Sequence, residues 1–202
     1  MIMESYRKII ENINLYYPKN CSYEDKVYNN TEEYKRYETV MKNVKLRDKV
    51  NKKVYEIMQY VFPDNYIKEW RNRDYPSIHF SVLLHKNQPI LDDDQELLAA
   101  LKGRRLDLEV YISLLDNCYY IYVIETLKQS DSNKWDFHCY DAEEFVNENE
   151  MKILTNKLSL AGLLKIDRSI AHKIVPDIET ELHYEGEVKV FHCIFSDIEK
   201  MF

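Results

Sequence analysis

Histidine and cysteine are the side chains best able to hold a metal or to act as nucleophiles, and this 202-residue chain has six histidines and four cysteines. No two histidines stand in an HxH, HxxxH or HExxH spacing, which would place two ligands on one face of an element. The cysteines form no CxxC pair, and two of them fall in apolar, strand-like runs that favour a buried thiol. The sequence therefore predicts no cofactor and no metal; a zinc site would have to be assembled from separate strands.

Carboxylates could support metal-dependent chemistry in one place, because PD at residues 176–177 and EVK at residues 187–189 spell the PD…ExK pattern of metal-dependent nucleases. A nuclease would need both carboxylates on one Mg²⁺. We expect a hairpin over residues 178–195, which puts Asp177 and Glu187 roughly 23 Å apart at its opposite ends. An enzyme whose site is assembled from distant residues is therefore the third hypothesis, and a protein that is not an enzyme is preferred.

Composition excludes several classes of function. The chain has only three glycines, all isolated, so it contains neither a glycine-rich phosphate loop nor a GxGxxG turn. A formal net charge of −7 disfavours a generic nucleic-acid binder. No apolar run approaches the length of a membrane span, and few, unpaired cysteines are typical of a reducing compartment. We therefore expect a cytoplasmic protein with no membrane partner.

One local stretch runs against this acidic balance. Residues 42–53 hold six cations and a single acidic residue, Asp48. The cations are Lys42, Lys45, Arg47, Lys49, Lys52 and Lys53. They fall on a predicted helix over residues 34–61, which could contact phosphates. A nucleic-acid-associated regulatory protein is therefore the second hypothesis, against the simpler interpretation of a solvated helix face.

The spacing of apolar residues along the chain predicts the helices and strands that position these residues. Three- and four-residue spacing predicts a short helix over residues 5–15 and a long one over 34–61, with a break near Leu46 allowed by the pattern. A polar, tyrosine-rich connector over residues 16–30 separates them. After Pro76 the period changes to two, as in strands. The predicted strands cover residues 78–84, 106–114, 118–127, 134–140, 178–184 and 187–195.

The fold class predicted from this order is α+β. It has an antiparallel sheet of about five to six hairpin-connected strands, N-terminal helices, and a helix over residues 141–165 between the last two hairpins. We expect one domain over residues 1–202. The alternative makes residues 1–65 a helical N-terminal subdomain.

Register predicts what lies on each face of the sheet. If Leu114 opposes Tyr119, the first hairpin collects its aliphatic side chains on one face, with Glu125 as the one misfit. We call the other face the tyrosine face. Its residues on these two strands are Asp107, Glu109, Tyr111, Ser113, Tyr120, Tyr122, Ile124 and Thr126. The same alternation adds Asp136, His138 and Tyr140 from the third strand.

The tyrosine face is the predicted functional surface. Tyrosine offers a large contact area at low entropic cost, and carboxylates steer a basic partner. The candidate partner-binding residues are Tyr111, Tyr120, Tyr122, Tyr140, His138, Asp107, Glu109 and Asp136. The alternatives are an ordinary solvent-facing sheet and a face that the long helix covers.

These features favour a non-enzymatic protein that binds and occludes a basic protein partner. Small acidic inhibitors of toxic enzymes, such as the immunity proteins and antitoxins of bacterial toxin systems, share this general profile. On this hypothesis, Tyr120→Ala with Tyr122→Ala leaves the stability nearly intact and abolishes partner binding.

Overall fold

Helices lie on both sides of one sheet in the computed structural model, which describes residues 2–70, 73–88, 94–128 and 134–197. The helices are α1 (Ile2–Ile13), α2 (Glu32–Met41), α3 (Val44–Val61), α4 (Asp94–Ala100), α5 (Glu148–Leu160), α6 (Arg168–Ala171) and α7 (Val190–Ile194). The strands are β1 (Ile67–Trp70), β2 (Ser77–Leu83), β3 (Arg104–Ser113), β4 (Cys118–Lys128), β5 (Trp135–Asp141) and β6 (Leu164–Lys165). The predicted α+β class is confirmed.

The long helix predicted over residues 34–61 is two helices. Thr31 caps α2, because its side-chain oxygen accepts from the backbone N–H of Tyr34 at 3.3 Å. Asn43 caps α3 in the same way, by accepting from the backbone N–H of Leu46 at 3.0 Å. The long helix therefore breaks between Met41 and Val44, because the side chain of Asn43 can cap a new helix.

The sheet has the order β1-β2-β3-β4-β5 with antiparallel pairs, and β6 adds a parallel pairing to β4. In the β3–β4 hairpin Tyr111 opposes Tyr120, a register two residues away from the predicted one, because residues 114–117 connect the strands in place of a two-residue turn. A shift by two keeps every side chain on its predicted face. The division into an aliphatic face and a tyrosine face is therefore correct for these two strands.

Strand β5 is turned over relative to the prediction. It pairs His138 with Glu125 of β4. Asp136, His138 and Tyr140 therefore lie on the aliphatic side of the sheet and not on the tyrosine face. The prediction was wrong because β5 ends the strand order, so its aromatic residues need not face a core, and Phe137 is 45% exposed. One residue of register exchanges the two faces.

The last predicted hairpin is wrong as well. Residues 166–197, which we call the C-terminal cover, form a bridge between Ile174 and Lys189 and then the helix α7, where a strand was expected. Phe191 and Phe195 are fully buried. A short apolar run buried on all sides shows no period, so its sequence does not distinguish a strand from a helix.

On the aliphatic face, the sheet packs against α3 and α5. Phe80 and Val110 belong to the same buried cluster as Val54 and Met58 of α3 and Leu154 of α5. The α3 part of the predicted long helix therefore covers the aliphatic face, and the alternative that the long helix covers the tyrosine face is wrong for this part. Tyr37 and Val40 of α2, the other part, do pack against the cluster on the tyrosine face.

Most of the cover on the tyrosine face comes from α1 and the C-terminal cover. Tyr111 and Tyr120 share a second buried cluster with Ile9 and Ile13 of α1 and with the C-terminal cover, including Phe191. The central strands β3 and β4 are therefore buried on both sides, between one layer of α3 and α5 and a second layer of α1 and the C-terminal cover.

Candidate functional site

The tyrosine face is buried, so the expected exposed binding surface is wrong at its centre. Tyr111 and Tyr120 are 6% and 4% exposed. Both rings meet Phe191 of α7 edge to face, with centroids 5.2 and 5.9 Å away. Tyr122 is half-buried and stacks on Tyr111 at 6.1 Å. These three tyrosines belong to the core beneath the C-terminal cover.

The carboxylates predicted for this face are buried and paired. Glu109 accepts from the Ser81 hydroxyl at 2.6 Å and pairs with the His79 ring. The Trp70 indole donates to the same hydroxyl at 2.6 Å. Asp107 pairs with Arg105, with 2.7 Å between Oδ2 and Nε. A buried carboxylate needs such partners, so this network explains how acidic side chains occupy a core position.

The predicted site residues of β5 lie on the opposite side of the sheet. The Tyr140 hydroxyl donates to Glu125 at 3.2 Å, and the Arg104 guanidinium donates to the other Glu125 oxygen at 2.5 Å. Glu125, the misfit of the sequence pattern, is therefore a paired carboxylate. His138 is exposed. The eight predicted residues are consequently not one surface.

The structure instead brings tyrosines together in a cavity of about 560 Å³ at the edge of the tyrosine-face core. We call it the tyrosine pocket. Its walls come from α2, the connector before it, residues 73–76 and the C-terminal cover. Its six tyrosines are Tyr17, Tyr23, Tyr28, Tyr34, Tyr37 and Tyr75. A volume of this size is typical of a ligand site.

Five of these rings form a continuous row. Tyr17 contacts Tyr37 at 5.5 Å between centroids, and Tyr37 stacks on Tyr34 at 5.9 Å. Tyr34 meets Tyr28 edge to face at 5.4 Å, and Tyr28 meets Tyr23 at 4.9 Å. Such pairs stabilise each other beyond their buried area, so the wall is held in a defined shape.

Hydrogen bonds fix the deepest rings. The Tyr17 hydroxyl donates to the carbonyl oxygen of Cys193 at 2.7 Å, and the Tyr28 hydroxyl donates to that of Glu179 at 3.2 Å. Burial raises the pKa of Tyr23 to about 12 and raises the pKa of Tyr17 well above the ordinary value of 10. These phenols are therefore neutral at physiological pH.

The charges around the pocket are predominantly acidic. Its carboxylates are Glu38, Asp74, Glu181 and Asp197, and its cations are Lys42 and Arg73. Lys42 pairs with Glu38 on α2, with 2.9 Å between Nζ and Oε1. An excess of two negative charges beside electron-rich ring faces favours a cationic ligand.

Asp197 organises the wall that the C-terminal cover contributes. Its carboxylate accepts from the Thr180 hydroxyl at 2.9 Å and from the backbone N–H of Leu182 at 3.1 Å. A third hydrogen bond joins it to Nδ1 of His183 at 2.7 Å. With three partners, Asp197 holds residues 180–183 against the core.

His183 also stacks on His192, with ring centroids 3.7 Å apart and an angle of 20° between planes. Nδ1 of His192 accepts from the backbone N–H of Lys189 at 3.2 Å, and its Nε2 has no partner among the described residues. Burial first, and then the neighbouring His183, lower the pKa of His192 to about 3. His192 is therefore a neutral, buried imidazole at physiological pH.

Within the described part of the chain, His183, His192 and Asp197 are the one group of three side chains close enough to share an ion, with ligand atoms within 4.8 Å. Zinc lies about 2.0 Å from a histidine nitrogen and close to the ring plane. Two rings stacked 3.7 Å apart have no such common position. The group therefore fits a structural role better than a metal site.

The PD…ExK residues are not at opposite ends of a hairpin, as the sequence predicted. The backbone N–H of Val175 donates to the carbonyl oxygen of Val188 at 2.8 Å, in an antiparallel bridge. Asp177 comes shortly after Val175 and Glu187 directly before Val188, so both residues lie at the same end of the bridge. The predicted separation is therefore wrong. Neither carboxylate belongs to the histidine–aspartate group above.

The basic stretch is partly used for packing. The Arg47 guanidinium donates to the carbonyl oxygens of Ser77 and Tyr75 at 2.8 and 2.9 Å. Lys53 donates to the carbonyl of Ala161 at 3.1 Å. Lys45, Lys49 and Lys52 are exposed on α3.

Sequence reasoning missed the tyrosine pocket because its residues come from distant segments. The available signal was the density of tyrosines in the connector over residues 16–30, followed by Tyr34 and Tyr37 one helical turn apart. That connector was interpreted as a polar link between helices. The pocket appears only when residues 180–197 fold back beside it.

No family model, no curated protein and no solved structure matches this chain. None of the described helices is long and apolar enough to cross a membrane.

Proposed function

We propose that this protein is a non-enzymatic inhibitor that binds a basic partner protein, and that the tyrosine pocket is where the partner docks. The observation that carries the proposal is a 560 Å³ cavity with six tyrosines and four carboxylates among its lining residues. Tyrosines are enriched at binding surfaces because they give large contact areas at low entropic cost. The role is that of an immunity protein or antitoxin acting in the cytoplasm.

The mechanism of inhibition is occlusion. Carboxylates at the pocket attract a basic surface over several ångströms and speed its encounter, and the tyrosine rings supply the area that is buried on contact. Glu181 is exposed at the mouth of the pocket, so it acts in this first, electrostatic step.

Charge reversal at one pocket residue tests the proposal. Immobilised wild type, Glu181→Lys and Glu185→Lys are each incubated with lysate of the native host. Glu185 is exposed on the same segment but does not line the pocket, so it is a matched control for the change of charge. We expect wild type and Glu185→Lys to retain one stoichiometric basic protein, and Glu181→Lys to retain at least about tenfold less.

Equal retention by all three proteins contradicts the proposal. An eluate with a high ratio of absorbance at 260 nm to that at 280 nm, lost when Lys45, Lys49 and Lys52 are replaced by glutamate, supports the nucleic-acid hypothesis instead. The exposure of these three lysines on one helix is the observation that favours it.

A further inference from the structure

The walls of the tyrosine pocket restrict which cation it can hold. Tyr34 and Tyr37 are one turn apart on α2, and the angle between their planes is only 22°. The two rings stack on each other, and both line the pocket. A planar guanidinium stacks on the face of an aromatic ring, whereas an ammonium approaches the ring as a point charge.

A cation that enters the pocket over its most buried rings is desolvated. These rings are Tyr17 and Tyr28, which are 7% and 1% exposed. An ammonium is strongly hydrated and loses that hydration on entry, and desolvation also disfavours its charged form. A guanidinium is more weakly hydrated and keeps its charge, so the site penalises it less.

Carboxylates line the pocket on more than one wall. Asp197 already accepts three hydrogen bonds and contributes its charge through space. Glu38 and Glu181 lie on α2 and on the C-terminal cover, two different walls of the pocket. A guanidinium has five N–H donors in a planar fork, so it can stack on a ring and donate to a carboxylate at the same time.

From these three features we infer that the tyrosine pocket takes the guanidinium of an arginine side chain of the partner. This inference rests on the proposed function and names its ligand. The cavity of 560 Å³ exceeds the size of one side chain, so residues next to the arginine enter with it.

Three blocked pentapeptides that differ only at the centre test the inference. Each is Ala-Ala-X-Ala-Ala, where X is arginine, lysine or citrulline, and binding is followed by calorimetry and by NMR shifts of the protein. Citrulline keeps the shape of arginine but carries no charge. We expect the arginine peptide to bind at least about fivefold tighter than the lysine peptide, and the citrulline peptide to show no saturable binding.

Matched variants locate the binding. Tyr34→Leu keeps an apolar side chain but removes one aromatic ring from the wall of the pocket, and we expect it to weaken binding of the arginine peptide about tenfold. Tyr60→Leu removes a tyrosine that is 65% exposed on α3 and outside the pocket, and we expect no change. Near-ultraviolet circular dichroism checks folding, and Glu181→Lys replaces Tyr34→Leu if the latter does not fold.

The outcomes separate the inference from the proposed function. Equal affinity for the arginine and lysine peptides, or for the arginine and citrulline peptides, contradicts the inference that the pocket takes a guanidinium. So does a failure of all three peptides while Glu181→Lys still loses the partner protein, and in that case the proposed function stands. The inference is supported if only the arginine peptide binds and its binding depends on Tyr34. This holds even if Glu181→Lys retains the partner protein as well as wild type does, in which case the proposed function fails.

Discussion

The two faces of the central sheet are both buried, but they are built from different side chains. The aliphatic face packs through residues such as Phe80 and Val110 against α3 and α5. The tyrosine face packs through Tyr111 and Tyr120 against α1 and the mostly irregular C-terminal cover. The comparison shows that polarity along a strand does not by itself make a face exposed.

A polar face can be buried when each of its polar groups finds a partner. On the tyrosine face, Glu109 forms hydrogen bonds with Ser81 and His79, and Ser81 also accepts a hydrogen bond from Trp70. The aliphatic face needs no such network at Phe80 or Val110, because their side chains have no polar atoms. The tyrosine face therefore depends on specific partners, and this makes it more sensitive to conservative substitutions.

The largest expected effect comes from removing two rings of the tyrosine face. Tyr120→Ala with Tyr122→Ala should lower the free energy of unfolding by at least about 4 kcal/mol, because truncating one buried aromatic ring costs about 3–5 kcal/mol and neighbours do not add fully. Phe80→Ala on the aliphatic face should cost about 3–5 kcal/mol. Urea unfolding measures both.

His138→Ala is the control for this pair, because His138 is exposed on β5, and it should change the free energy of unfolding by less than about 0.5 kcal/mol. A loss below about 1 kcal/mol for the double variant would show that the C-terminal cover does not bury the tyrosine face. If the double variant does not fold at all, Tyr120→Leu gives the smaller loss that can be measured.

The second effect is a pH dependence that belongs to the cover of the tyrosine face. The unfolded chain protonates His192 near its ordinary pKa of 6.5, whereas the folded protein does so only near 3. The unfolded state therefore binds more protons in this window, and stability falls as the pH falls. Between pH 7 and pH 5 the loss from this group should be about 2 kcal/mol.

His192→Asn isolates this contribution, since the asparagine side chain can accept from the backbone N–H of Lys189 but does not titrate. Urea unfolding of wild type and variant at pH 7, 6 and 5 gives the comparison. We expect the variant to lose about 2 kcal/mol less over this range than wild type. Parallel pH profiles would mean that His192 becomes protonated in the folded protein at its ordinary pKa.

The smallest effect tests the polar network itself. Glu109→Gln keeps the shape of the side chain but turns one carboxylate oxygen into a donor, which faces the His79 ring and the Ser81 hydroxyl. We expect a loss of about 1–2 kcal/mol in the free energy of unfolding, measured in urea. Glu185→Gln, an exposed glutamate, should change it by less than about 0.5 kcal/mol. Equal values for the two variants would show that the network contributes no stability.

The sequence was informative where structure is local. The alternation of β3 and β4 predicted both faces of their hairpin, although the register differs by two, and a cap by Thr31 begins α2. It failed for β5, whose aromatic residues alternate without facing a core. It also failed for residues 178–195, where apolar side chains buried on all sides carry no period.

The candidate site could not be predicted because its parts are far apart in the chain. The sequence by itself determined the period of each element and therefore which side chains share a face, since that period is a property of the backbone. Only the tertiary structure decided what covers each face. The hydrogen bond from Tyr17 to Cys193 spans 176 residues, and local spacing carries no information about such a contact. Long-range packing of the C-terminal cover therefore buries the tyrosines of the sheet and gathers those of the connector into a pocket.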